Sequence, residues 1–69
     1  DGTVTNSILG RDVIVQHGAV VNDSIIMQSC VIEQGARVEH AIVDRNITVP
    51  ASTGLRGTPD AILIKEKGN

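Results

Sequence analysis

The chain of 69 residues has no phenylalanine, tyrosine or tryptophan, and only one cysteine, one methionine and two prolines. Without rings there is no platform on which a nucleobase could stack. Six Lys/Arg against eight Asp/Glu, a net charge of −2, form no basic stripe for phosphates, so nucleic acid is not an expected partner. A single cysteine rules out an internal disulfide framework. No apolar run approaches the roughly 20 residues of a membrane-spanning helix, and no signal peptide is visible. No membrane is expected, and a reducing cytoplasm is the expected compartment. A chain this short makes one small domain that buries a modest share of its surface.

What the chain does have is a rhythm. Ile8, Ile14, Val20, Ile26, Ile32 and Val38 recur every sixth residue. A small residue follows four positions later at Gly18, Ser24, Cys30 and Ala36, with Asp12 the early exception. This period suits neither an α-helix nor a hairpin. It suits a chain that makes a short strand, turns a corner and repeats around a triangular coil, with the aliphatic side chain inside and the small residue at the tight corner. The pattern predicts an all-β fold, a left-handed parallel β-helix of hexapeptide repeats with about three turns, an exception to the right-handed crossover preference. Cys30, at a small inward position, is expected to be a buried filler.

The phase slips after Val38: the next aliphatic in register is Val43, five residues on, and the six-residue step resumes at Val49 and Leu55. Residues 39–42 therefore read as a corner shortened by one residue, with Ile47 and Thr53 in the second inward position. The β-helix is expected over 1–57. Residues 58–69 then hold a terminal turn with strong turn chemistry around Thr58-Pro59-Asp60, a short strand at Ala61–Ile64 and a polar tail. The chain opens on Asp1 inside a patterned segment, which reads as the C-terminal fragment of a longer protein.

On this phasing, Leu9, Ile25, Met27 and Ile42 point outward on one face of the prism. Val13, Val15, Val31, Glu33, Thr48 and Pro50 take the second face, and Ala19, Val21, Arg37, Glu39, Gly54 and Arg56 the third. The contiguous apolar face is the expected contact surface for another domain or subunit. His17 and His40 fall at corners on different turns, too few for a three-histidine zinc site. The carboxylates are scattered, Asp23 fits turn formation in Val-Asn-Asp-Ser, and the glycines form no phosphate-cradling loop. No catalytic, cofactor or metal residue is expected in this chain.

Three segments carry a family resemblance: Asn-Ser-Ile-Leu at 6–9, Gly-Ala-Val-Val-Asn-Asp-Ser-Ile-Ile-Met at 18–27, and Ala-Ile-Val-Asp-Arg-Asn-Ile-Thr-Val-Pro at 41–50. From Asn6 to Gly57 the chain resembles the C-terminal β-helix of bacterial glucose-1-phosphate adenylyltransferase (ADP-glucose pyrophosphorylase), with a slight leaning toward its regulatory-type subunit. The resemblance implies a two-domain enzyme of glycogen synthesis whose N-terminal domain, with Mg and ATP, makes ADP-glucose and pyrophosphate. It implies partners in that catalytic domain, in homo- or hetero-oligomeric subunits and in a sugar-phosphate effector. Arg45, in Val-Asp-Arg-Asn, matches an arginine near the family's effector region, and Lys65 stands where the family has a basic residue after its terminal strand. A hexapeptide acyltransferase acting as a trimer, with His17 or His40 as base, is the alternative reading, although no loop insertion interrupts the repeats.

Overall fold

The computed structural model describes residues 2–66, which form eleven short parallel strands and no helix. In chain order these are β1 (Thr3–Thr5), β2 (Ile8–Leu9), β3 (Ile14–Val15), β4 (Val20–Asn22), β5 (Ile25–Ile26), β6 (Val31–Ile32), β7 (Arg37–Glu39), β8 (Ala41–Val43), β9 (Thr48–Val49), β10 (Gly54–Arg56) and β11 (Leu63–Lys65). Every third strand stacks on the last. A first sheet runs β1-β4-β7-β10, a second β2-β5-β8-β11 and a third β3-β6-β9. This is the left-handed parallel β-helix that the repeats predict, with about three turns.

Its step differs from the expected one. Stacked residues lie 17 positions apart, as in Thr3 opposite Val20, Ile8 opposite Ile25 and Ile14 opposite Val31. Each turn therefore takes two six-residue units and one of five, and the slip before Val43 is one instance of a shortening that recurs at Leu9 and Ile26. The inward columns follow from the register: Val4-Val21-Val38-Leu55, Leu9-Ile26-Val43 and Val15-Ile32-Val49. Val21, Ile26, Ile32, Val38, Val43 and Val49 are buried, with Val15 and Leu55 packed against them.

The expected inward aliphatics are thus right from Ile26 onward and wrong before it. Ile8 and Ile14 are 65% and 55% exposed, and Val20 gives way to the fully buried Val21. Val13, Val15, Ala19 and Val21, expected on outer faces, line the interior. The small inward residues lie two positions before each inward aliphatic: Ala19, Ser24, Cys30, Ala36 and Ala41 are buried, and Ile47 joins them. Gly18, expected among them, instead occupies the exposed corner just before Ala19.

The corners show why. One residue at each adopts the left-handed conformation, and these residues stack in three columns: Asn6-Asp23-His40, Asp12-Ser29-Asn46 and Gly18-Gly35-Ser52, with φ between 47° and 76°. Asn, Asp, His and Gly tolerate that region best. Inside the five-residue corner, side chains replace carbonyls as acceptors. Ser24 N–H donates to Ser7 Oγ, and Ala41 N–H to Ser24 Oγ. Cys30, buried as expected, donates its thiol hydrogen to the Asp44 carbonyl at 2.9 Å.

The last rung departs from the period. Thr58 and Ala61 bridge each other through two backbone hydrogen bonds of 2.9 and 3.1 Å, with Pro59 and Asp60 between them. The detour delays β11, so that Leu63 pairs with Ala41 across 22 positions. The terminal strand is therefore Leu63–Lys65, two residues after its expected start, because Ala61 is consumed in the bridge. The final three tail residues, 67–69, lie outside the described residues.

A candidate contact face and an arginine corner

The second sheet carries a row of isoleucines on its outer surface. Ile8, Ile25, Ile42 and Ile64 stand in register on successive rungs. Ile8 and Ile64 are the most exposed, Ile25 and the neighbouring Met27 are also exposed, and Ile42 is half-buried. Ile25, Met27 and Ile42, read from sequence as a contact face, are brought together here. Leu9 is not one of them. It pairs with Ile26 and so belongs to the inward column, its side chain 38% exposed because it lies in the first rung. Ile8 was hidden by its assignment to the interior, and Ile64 by the hairpin that shifts its spacing.

Beside this row runs the corner between the second and third sheets, where Arg11, Gln28 and Arg45 stack at the 17-residue period. Ser29 N–H donates to the Arg11 carbonyl at 2.8 Å and Asn46 N–H to the Gln28 carbonyl at 3.0 Å, which fixes the three as consecutive rungs. Arg11 and Arg45 are exposed. The Arg45 amide donates to Asp44 Oδ1 at 2.8 Å, closing the turn. Between corner and isoleucine row lies an open groove of about 330 Å³, lined by Ile8, Ile25, Met27, Gln28 and the two arginines, with Gly10 at its edge.

The backbone of Lys65 meets that of the residue before Arg45. The Lys65 carbonyl accepts the Asp44 N–H at 2.9 Å. Its register places it above Val43, and it is half-buried like Leu63, whereas Ile64 between them is exposed. Strand alternation thus sends the Lys65 side chain to the coil side, while Arg45 sits on the outer corner. The two cations expected to converge occupy adjoining rungs with different aspects.

The histidines stand at two separate corners. His17 is exposed, and its carbonyl accepts the Gly35 N–H at 3.2 Å. His40 is half-exposed, and its Nε2 lies 3.8 Å from Asp23 Oδ2 one rung below, a partner that only the 17-residue spacing reveals. Arg56 Nε and Glu39 Oε1 pair at 2.9 Å on the adjacent outer column of the first sheet. Among the described residues, no three His, Cys, Asp or Glu side chains gather where a metal could sit, and no helix is long and apolar enough to cross a membrane.

Residues 1–60 match the family model described as GlmU-like, C-terminal hexapeptide. No curated protein and no solved structure matches the chain.

Proposed function

The chain belongs to the GlmU-like, C-terminal hexapeptide family, and from that premise we propose that it is the regulatory and oligomerisation β-helix of a glucose-1-phosphate adenylyltransferase. The carrying observation is the outward isoleucine row of the second sheet, with Ile8 at 65% and Ile64 at 61% exposure. A continuous apolar row of this kind gains by burial against a partner surface, at about 25 cal/mol per Å². The partner is the N-terminal catalytic domain or a neighbouring subunit. That domain would hold ATP and Mg and carry out the transfer; the residues here do no chemistry.

Regulation belongs to the same reading. Arg45, exposed at its corner, supplies a planar cation for a sugar phosphate, and carries the effector contact in this reading ahead of Lys65, which faces the coil side of the next rung. An effector bound there shifts an equilibrium only by its differential affinity for two arrangements of the partners. The test is a kinetic one on the parent protein in the cytoplasmic fraction where the reading places it. Formation of ADP-glucose from ATP and glucose 1-phosphate is expected, together with a weakened effector response after Arg45→Ala. Absence of nucleotidyl transfer sinks the assignment; an unchanged response removes Arg45 from it.

One contact favours a second reading, a trimeric acyltransferase. Asp23 lies beside His40 and could orient the imidazole as a general base. Acyl transfer lost on His40→Asn in a parent protein that makes no sugar nucleotide would select it.

A further inference from the structure

We infer that the groove between Arg11 and Arg45 binds small amphiphilic anions, molecules with an aliphatic body and one carboxylate or phosphate head. This goes beyond the docking role: the groove is lined by Ile8, Ile25 and Met27, so a ligand seated there shares the lower half of the isoleucine row with whatever docks on it.

The floor is apolar and exposed: Ile8, Ile25 and Met27 all reach solvent. At the edge stands Gly10, one rung below Met27. A Cβ at Gly10 would lie 2.7 Å from the Gln28 nitrogen and 2.9 Å from the Met27 carbonyl carbon, so no side chain fills this end of the groove without moving backbone. The opening is a property of the coil itself. Its volume of about 330 Å³ falls at the small end of ligand sites.

The charge sits along one wall. Arg11 and Arg45 flank Gln28 two rungs apart, roughly 10 Å between backbones at about 4.8 Å per rung. Both side chains are long enough to lean toward a head placed over Gln28. Neither guanidinium has an ion-pair partner among the described residues. Of the carboxylates at this corner, Asp44 is engaged by the Arg45 amide, and Asp12, next to Arg11, has no ion pair with it. Two guanidinium forks favour a carboxylate or phosphate. A ligand body lying in the groove must be apolar, since the hydroxyls of a sugar laid on isoleucine and methionine would lose water with only Gln28 to replace it, whereas a sugar phosphate held by Arg45 alone keeps its sugar off this floor.

The experiment is a titration of the ¹⁵N-labelled chain with octanoate, octanol and inorganic phosphate, read by amide shifts. Octanoate is expected to saturate with shifts centred on Gly10, Arg11, Gln28 and Arg45. Octanol, which lacks the head, and phosphate, which lacks the body, should each need at least about tenfold higher concentration. Arg11→Gln and Arg45→Gln, both at exposed corners, should each weaken octanoate about tenfold with the remaining spectrum unmoved. Octanol binding as well as octanoate, shifts centred on the first or third sheet, or unaltered binding by both variants overturns the proposal. Phosphate binding as tightly as octanoate also overturns it, while leaving the effector reading of Arg45 standing.

Discussion

The buried hydroxyl of Ser24 accepts the amide hydrogen of Ala41, one rung above, at 3.2 Å. The same hydroxyl donates to the Asn22 carbonyl at 2.7 Å, and the Ser24 amide donates to Ser7 Oγ at 3.1 Å. At the corner that is one residue short, a side chain thus takes the acceptor position that a carbonyl holds elsewhere. Ser24→Ala should leave the Ala41 N–H buried without an acceptor, at a cost of about 1–3 kcal/mol. Urea unfolding followed by far-UV circular dichroism measures it. Ser7→Ala should cost less, because the Ser7 hydroxyl lies in the open first rung, where water can take its place as acceptor.

The 17-residue register makes opposite forecasts for residues that look alike in sequence. Ile26→Ala and Ile32→Ala, at fully buried positions, should each destabilise by about 2–5 kcal/mol. Ile8→Thr and Ile14→Thr, exposed and still β-branched, should stay within about 0.5 kcal/mol. A strict 18-residue coil would make all four costly, so equal losses would refute the register.

Gly57 stands where the regular coil gives way to the hairpin. A Cβ there would collide with the His40 carbonyl oxygen and crowd the Leu63 nitrogen and the Ala61 carbonyl. His40 O accepts the Leu63 N–H at 3.1 Å, the bond that seats β11. Gly57→Ala should therefore cost about 1–3 kcal/mol and loosen the last strand first. Hydrogen exchange should show Leu63 losing protection while Ile26 and Ile32 keep theirs.

Cys30 has no solvent exposure, and its thiol is hydrogen-bonded to Asp44. An aromatic disulfide reagent should react with the folded chain only through opening, so its rate should rise with urea in step with the loss of dichroism. Prompt full reaction in buffer would contradict the burial.

The fold class was legible because β-branched residues recur at a spacing only a coil accommodates. The phase was harder, and the reason is physical. Pairs such as Val20-Val21, Ile25-Ile26, Val31-Ile32 and Ile42-Val43 put an aliphatic on both faces of a strand, since β-branched side chains suit either surface of a pleat. Ile8 and Ile14 therefore mimicked the interior by falling six apart. The better guide lay in the corners. Asn6, Asp23 and His40, or Asp12, Ser29 and Asn46, repeat at 17, and each marks a backbone reversal that few residue types accept. That spacing also explains the fate of the site. Arg45 could be singled out alone, but its alignment with Arg11 and the approach of Asp23 to His40 exist only once the true period is known.

The hairpin at Thr58–Ala61 has a meaning for copies of this molecule as well as for the molecule itself. A coil whose rungs were all alike would present, at its end, a template that any other copy could extend strand by strand. By lengthening one rung from 17 residues to 22, the chain breaks that sameness, because the Thr58–Ala61 hairpin interrupts the path between β10 and β11. The detour is a mismatched thread on a screw, and it works against strand-by-strand growth across that rung.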